Sequence, residues 1–144
     1  MKSLVLSGAA ILAILSVAAL TSEQKMLTEL KRRYVALLHV MRQSGDPMWV
    51  PVLKPAIITG IHGKKDGVIG SNVNKGYEIY ICLDGDDVNS AMYVLIHELA
   101  HMSVPEYDHT SGFWGNFSKL RDLAANAGLY VKPTGPVKYC GETV

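Results

Sequence analysis

An uncharged apolar run near the amino terminus sets the strongest limit on how this chain can fold. From Ser3 to Leu20 no residue is charged, and 14 of the 18 residues are Ala, Val, Ile or Leu. As a helix these residues would extend about 27 Å, close to the hydrocarbon thickness of a bilayer. The run therefore predicts a transmembrane anchor or a signal peptide over residues 1–22, with a separate domain over residues 23–144.

Two interpretations of this run stay open. An uncleaved anchor is favoured because the run is longer than a usual signal-peptide core. The small residues Val17 and Ala19 fit cleavage after Ala19, which would give a secreted protein. For an anchored chain, the basic residues 31–33 favour a single-pass topology with the domain facing the cytoplasm. Cys82 and Cys140 would then be reduced thiols, whereas the opposite topology would allow them to pair.

The amino-acid composition excludes two classes of protein for this domain. The chain carries 14 basic and 13 acidic residues, and this balance argues against a strongly cationic nucleic-acid binder. Two cysteines in 144 residues are too few for a disulfide-built scaffold. The residues that follow the apolar run are enough for one modest hydrophobic core.

Hydrophobic spacing predicts an α+β fold. Apolar residues recur at helical spacing in three segments, and alternation or apolar runs mark short strands between them. The strands would form a small sheet of antiparallel type, packed on the later helices. The predicted elements are a helix over 22–44, strands over 56–61, 68–70 and 77–83, helices over 88–102 and 112–127, and an irregular tail over 129–144.

One motif predicts chemistry. His97, Glu98 and His101 form an H-E-x-x-H pattern on the predicted helix over 88–102. Residues i and i+4 project from one face of a helix, so both imidazoles can reach one metal ion. Glu98 could then accept a proton from a zinc-bound water that attacks a carbonyl. The motif predicts Zn²⁺ as cofactor, His97 and His101 as ligands, and Glu98 as the catalytic base.

A catalytic zinc site also needs a third protein ligand. His109 is favoured because Pro105 ends the helix and lets the chain turn back, and because imidazole suits zinc. Glu106 and Asp108 are rival donors. For an oxyanion-stabilising group, the sequence alone does not rank Tyr107 against Tyr130 and Tyr139.

Three segments together resemble a known family. Residues 70–81 contain an Asn-x-Asn-x-Gly turn that leads into a strand, 95–101 contain the H-E-L-x-H helix, and 109–114 contain a third histidine followed by aromatic residues. In order and spacing they resemble the WLM-domain zinc metalloproteases, relatives of the SprT and Spartan proteases. The resemblance implies a zincin-like minimal metalloprotease fold. It also implies zinc ligation by His97, His101 and His109, and a cleft flanked by the strand over 77–83.

The sequence departs from that family at the end of the predicted strand and directly after the H-E-x-x-H motif. Cys82-Leu83-Asp84 replaces a basic strand end, and Met102 replaces a common asparagine. The leading hypothesis is a zinc metalloendopeptidase that cleaves protein or peptide substrates and is tethered to a membrane by residues 3–20. The alternative is a catalytically idle WLM-like zinc domain that acts as a membrane-tethered binding module. Nucleic acid is not an expected partner.

Overall fold

The computed structural model describes the backbone of residues 8–144 and the side chains from Glu23 onward. Its fold is α+β, as the sequence predicts, and combines long helices with a small sheet. The elements are α1 (Gly8–Ser44), a 3₁₀ helix (Pro47–Leu53), β1 (Ile57–Ile61), β2 (Gly70–Val73), β3 (Glu78–Cys82), α2 (Val88–Met102), α3 (Ser111–Asn126), β4 (Lys138–Tyr139) and β5 (Glu142–Thr143).

The first helix differs from its prediction at one end. Helix α1 continues through Ser22, which was predicted to start it, back to Gly8. Its apolar stripe packs as predicted, with Leu30, Leu37 and Met41 fully buried. The predicted membrane segment over 3–20 falls outside the residues whose side chains are described. Among the helices in the described part of the chain, none is long and apolar enough to cross a membrane.

The three-stranded sheet is mixed, which corrects the predicted antiparallel type. Its strand order is β1-β3-β2. Strands β2 and β3 form an antiparallel hairpin in which Gly70 pairs with Ile81 and Val73 with Glu78. Strand β3 lies between β2 and β1 and runs parallel to β1, with Ile58 paired to Ile79. Strand β2 therefore lies at an edge of the sheet.

The core lies between this sheet and the helices. Ile79 and Ile81 of β3 are fully buried, and so are Leu95 and Leu99 of α2. Helix α3 adds an apolar stripe with the predicted spacing, including the fully buried Phe113. The packing holds α2 against both α3 and the β2 edge.

The carboxyl-terminal segment is more ordered than the irregular tail that the sequence predicts. Strands β4 and β5 form a short antiparallel hairpin, in which Lys138 pairs with Thr143. Cys140 lies in the turn of this hairpin and is disulfide-bonded to Cys82 at the end of β3. The two Cα atoms are 6.5 Å apart. For a cytoplasm-facing domain these two cysteines were expected to be reduced thiols, but the structure shows them paired in a disulfide. Local spacing could not predict this pairing, because the two cysteines are 58 positions apart in the sequence.

Candidate metal centre and cleft

Three histidines converge at one end of α2. His97 and His101 project from the same face of α2, one turn apart, with ring centroids 5.1 Å apart. His109 precedes α3, whose first turn is capped by the Thr110 side chain accepting from the Phe113 amide. The His109 Nε2 atom lies 3.1 Å from His97 Nε2 and 3.2 Å from His101 Nε2. The loop after Pro105 therefore turns back as the sequence predicts.

The rival donors stay outside this group. In the described part of the chain, the three histidine nitrogens form a compact set of candidate metal ligands, and neither Glu106 nor Asp108 belongs to it. Instead, Glu106 contributes its backbone carbonyl to a hydrogen bond from Lys75. We refer to His97, His101 and His109 below as the histidine centre.

Aromatic rings from α3 support the histidine centre. The His101 ring stacks on Phe113 with centroids 4.3 Å apart, and the His109 ring stacks on Trp114 at 5.5 Å. The His97 ring meets both Phe113 and Phe117 edge-on. These contacts limit rotation of all three imidazoles and give a structural reason for the aromatic residues in the first turn of α3.

The surroundings keep two of the histidines uncharged. Burial, with the nearby His101 and His109 second, lowers the pKa of His97 to about 4. Burial is also the largest cause that lowers the pKa of His101 to about 4, followed by His109 and Lys75. At neutral pH both imidazoles are therefore neutral, the form in which histidine binds a metal ion.

Glu98 lies beside the histidine centre but is not part of it. Its residue is only 6% exposed, and burial raises the pKa of its carboxyl to about 7. It lines the same cleft as His97, His101 and His109. A buried carboxyl whose pKa is close to neutral is suited to accepting and returning a proton.

The edge strand β2, rather than β3, flanks this cleft. Gly70 lies so close to α2 that an added Cβ would meet Val94 Cγ1 at 2.4 Å and Glu98 Oε1 at 3.2 Å. The Asn72 amide donates to the Glu98 carbonyl at 2.9 Å. The predicted flanking strand over 77–83 corresponds to β3, the central strand of the sheet, so the expectation named the wrong strand.

The turn after β2 holds the loop that carries His109. The Lys75 ammonium donates to the carbonyls of His101 at 2.8 Å, Val104 at 2.9 Å and Glu106 at 2.5 Å. These carbonyls belong to the carboxyl end of α2 and the following loop, where backbone acceptors have no helical partner. The sequence resemblance included Lys75 but gave no signal for this role, because the contacts span 26 to 31 positions.

The structure separates the three candidate tyrosines. Tyr107 lines the cleft beside the histidine centre and is 75% exposed. Tyr130 is buried, and the buried Tyr139 hydroxyl donates to the Cys82 carbonyl. Only Tyr107, of these three, is placed where a reacting carbonyl could be reached.

The other two histidines, His39 and His62, lie outside the histidine centre. His39 is exposed on α1. His62 is exposed, and its ring nitrogens contact Asp84 at 3.0 Å and Glu23 at 3.2 Å. The loop over residues 84–87 precedes α2 and contains three aspartates. Its last residue, Asp87, caps α2 by accepting a hydrogen bond from the Ser90 amide, as expected for an acidic residue at a helix start.

Two viral proteins are similar to about half of the chain. One is the uncharacterized protein R325 of Acanthamoeba polyphaga mimivirus, 38% identical over 78 residues that cover 48% of this chain and 40% of the viral protein. The other is the uncharacterized protein 136R of Invertebrate iridescent virus 6, 35% identical over 85 residues, or 53% of this chain and 47% of that protein. The matched region thus spans less than half of either relative. No protein-family model and no solved structure matches the chain.

Proposed function

We propose that this protein is a zinc-dependent metallopeptidase of the zincin type, related to the WLM and SprT-like proteases that its sequence resembles. One observation carries the proposal most directly. Three imidazole nitrogens converge beside a buried carboxyl, next to the edge strand of a sheet. Catalytic zinc sites use three protein ligands and leave a fourth position open for water or substrate.

The donor set fits zinc. With zinc–nitrogen bonds of about 2.0–2.1 Å, tetrahedral geometry places the nitrogens roughly 3.3 Å apart. The measured separations of 3.1 and 3.2 Å to His109 Nε2 are close to this value. Each Nε2 atom carries either a proton or a lone pair, so His109 Nε2 cannot form a full hydrogen bond with both neighbours, whereas a shared cation would accept a lone pair from all three nitrogens.

The chain's own groups fit the hydrolysis of a peptide bond. A bound zinc ion supplies Lewis acidity, which polarises a carbonyl and lowers the pKa of water. Glu98 would take a proton from the attacking water and deliver it to the departing amine. Its burial keeps the carboxyl pKa near neutrality, so both steps are accessible at neutral pH. The Tyr107 hydroxyl is the candidate donor to the developing oxyanion.

The β2 edge supports a peptide as substrate. An edge strand presents unpaired backbone groups that can pair with an extended segment. Because Gly70 lets β2 approach α2 closely, a peptide paired with this edge would lie next to Glu98. Tethering to a membrane through residues 3–20 belongs to the same proposal and depends on the apolar run in the sequence.

Zinc content and peptide hydrolysis together test the function. Purified protein should hold about one zinc ion per chain, and His109→Ala should lose most of it. Zinc-loaded wild type should cleave an unfolded protein substrate such as casein, and Glu98→Gln should keep zinc but lose at least about 100-fold in kcat/KM. Equal activity in the wild type and in Glu98→Gln would exclude this mechanism. Zinc binding with no hydrolysis under any tested condition would favour an idle binding module.

A further inference from the structure

A second pocket adjoins the cleft, and one of its walls comes from the carboxyl-terminal hairpin. Its volume is about 400 Å³. His97 and Glu98 line both this pocket and the cleft, so the two are continuous. Residues 142–144 form the hairpin wall. We call this space the side pocket and residues 141–144 the strap, because a movement of these residues changes access to the pocket.

The noncovalent contacts that position the strap are weak. Strands β4 and β5 have two residues each, and a hairpin of this length is marginally stable at best in water. Beside these strands, the amides of Val137 and Val144 each donate to the carbonyl of the other. The ion pair of Lys64 with Glu142 joins two half-exposed side chains, so it contributes little stability. Val144 adds a partly buried contact with the core.

The turn of the hairpin is unfavourable for the cysteine that occupies it. Tyr139 pairs with Glu142, which leaves Cys140 and Gly141 as a two-residue turn with φ values of 49° and 80°. Turns with positive φ at both positions prefer Asn-Gly, Asp-Gly or Gly-Gly. A cysteine in the left-handed region costs free energy, and the bond to Cys82 offsets this cost. Without the bond, the turn loses its main support.

The other arm of the hairpin has an anchor of its own. Tyr139 is buried, and its hydroxyl donates to the carbonyl of Cys82 at the end of β3. Tyr139 precedes the turn, whereas the strap follows it. Breaking the disulfide therefore frees the strap while Tyr139 and the three-stranded sheet keep their places.

We propose that the Cys82–Cys140 disulfide is a redox switch that holds the strap against the side pocket, and that its reduction by thiols opens the pocket. This switch acts on access to the cleft and does not depend on the proposed peptidase function. It differs from a purely structural disulfide in its consequence, because the fold of the domain persists while one wall of the pocket leaves.

The chemistry of opening is thiol–disulfide exchange. Cys140 is partly exposed and Cys82 is fully buried, so an incoming thiolate attacks the Cys140 sulfur. A mixed disulfide forms at Cys140, and Cys82 leaves as a thiolate that takes up a proton. A second thiol then attacks the sulfur of the first, which releases Cys140 as a thiol. In total, two thiols supply two electrons and two protons and become one disulfide.

The NMR amide signal of Thr143 in β5 is the first test. The full chain is used without zinc, because the reductant dithiothreitol also binds zinc through its sulfurs. Dithiothreitol should move the Thr143 signal close to its position in an unstructured peptide, and thiol titration should give two thiols per chain. The Leu95 signal of the buried helix α2 should keep its folded position. Together these results would show release of the strap without unfolding of the domain.

Quenching of tryptophan fluorescence by acrylamide is the second test, and it measures access to the side pocket. Trp114 lines the pocket and is 47% exposed, whereas Trp49 is 3% exposed. Since Trp114 is already half exposed, release of the strap should raise its quenching constant by about 1.5-fold. In the control variant Trp114→Phe, the remaining Trp49 signal should respond equally before and after reduction.

Cys140→Ser separates the disulfide from other effects of the reductant. This variant should show the reduced behaviour of Thr143 and Trp114 from the start, and dithiothreitol should change nothing further. If the variant does not fold, the reduced wild type carries the test. Unchanged Thr143 and Trp114 signals after verified reduction would overturn the proposal. Loss of the folded Leu95 signal on reduction would overturn it too, because the disulfide would then support the whole domain.

Discussion

Two corners of the molecule each bring three metal-capable side chains together, and they differ in chemistry. In the histidine centre, three imidazole nitrogens meet over an aromatic support. In the other corner, here called the disulfide corner, the potential ligand atoms of Cys82, Asp84 and Cys140 also lie within 4.8 Å of one another. There, however, the sulfurs are bonded to each other and the Asp84 carboxylate is engaged by His62 and the Gly63 amide.

The difference shows that proximity of donors does not make a metal site. A ligand atom needs a lone pair that no other group uses, and a thiolate consumed in a disulfide has lost its strength as a ligand. The histidine centre offers three imidazole nitrogens that no covalent bond or acidic group engages, whereas the disulfide corner uses its two sulfurs to join β3 to the carboxyl-terminal hairpin. The two corners should therefore respond oppositely to metal removal and to reduction.

The largest expected effect is loss of zinc from the histidine centre. His97→Ala removes one of three ligands and should weaken zinc binding by more than about 100-fold, beyond the roughly 10- to 100-fold effect of outer-shell changes. Competition with a chromophoric chelator measures the dissociation constant. Cys140→Ser, which changes the other corner, should alter it less than about twofold. A similar loss of zinc in both variants would show that the corners are not independent.

Cutting the disulfide should act on stability instead. The bridge closes a segment with a sequence separation of 58, and its loss should lower the free energy of unfolding by about 2–4 kcal/mol. Denaturant unfolding of Cys140→Ser against the oxidised wild type measures this difference. Adding a reductant should bring the wild type to the stability of the variant. If it leaves the wild type unchanged, the cysteines are not paired in solution.

Lys75→Met should weaken zinc binding at the histidine centre, although it changes none of the three histidines. Its ammonium holds the loop that carries His109 through three backbone carbonyls, so we expect zinc affinity to fall about 10-fold. The same competition with a chromophoric chelator measures the zinc dissociation constant of this variant. Lys119→Met, which changes an exposed lysine on α3, serves as the control. Equal affinity in the two variants would mean that the loop keeps its position unaided.

The smallest effect concerns the ion pairs of His62 in the disulfide corner. The hydrogen bond to Asp84, followed by the charge of Glu23, raises the pKa of His62 above the ordinary value of 6.5. Its stabilisation is therefore complete below about pH 6.5 and is lost as the pH rises through the raised pKa. The difference in Tm between the wild type and His62→Gln should shrink as the pH rises above about 6.5. A difference in Tm that stays constant over this pH range would contradict the ion pairs of His62.

Local elements followed closely from the sequence. Helix α2 spans the predicted Val88–Met102, because its apolar spacing is regular and Pro105 prevents continuation. The stripes of α1 and α3 are buried as predicted. The placement of His97, Glu98 and His101 on one helix is local too, since i and i+4 positions share a face in any helix. Their roles in metal binding and catalysis stay predictions.

Other features could not be read from local patterns. Periodicity assigns an apolar face to each strand but does not say which strand takes the middle of a sheet, so the central position of β3 was missed. The same holds for the two-residue strands β4 and β5, which are too short to show alternation. Tyr77, the first residue of the predicted strand over 77–83, lies before β3 begins and is 65% exposed.

By itself, the sequence determined the helices, their buried faces and the spacing of the H-E-x-x-H group, because these depend on neighbours within a few positions. Only the tertiary structure decided the Cys82–Cys140 pairing, the three carbonyls that Lys75 joins and the wall that Val144 contributes beside Glu98. These contacts bring together segments far apart in the chain. They exist only once the core has packed and chosen which faces meet.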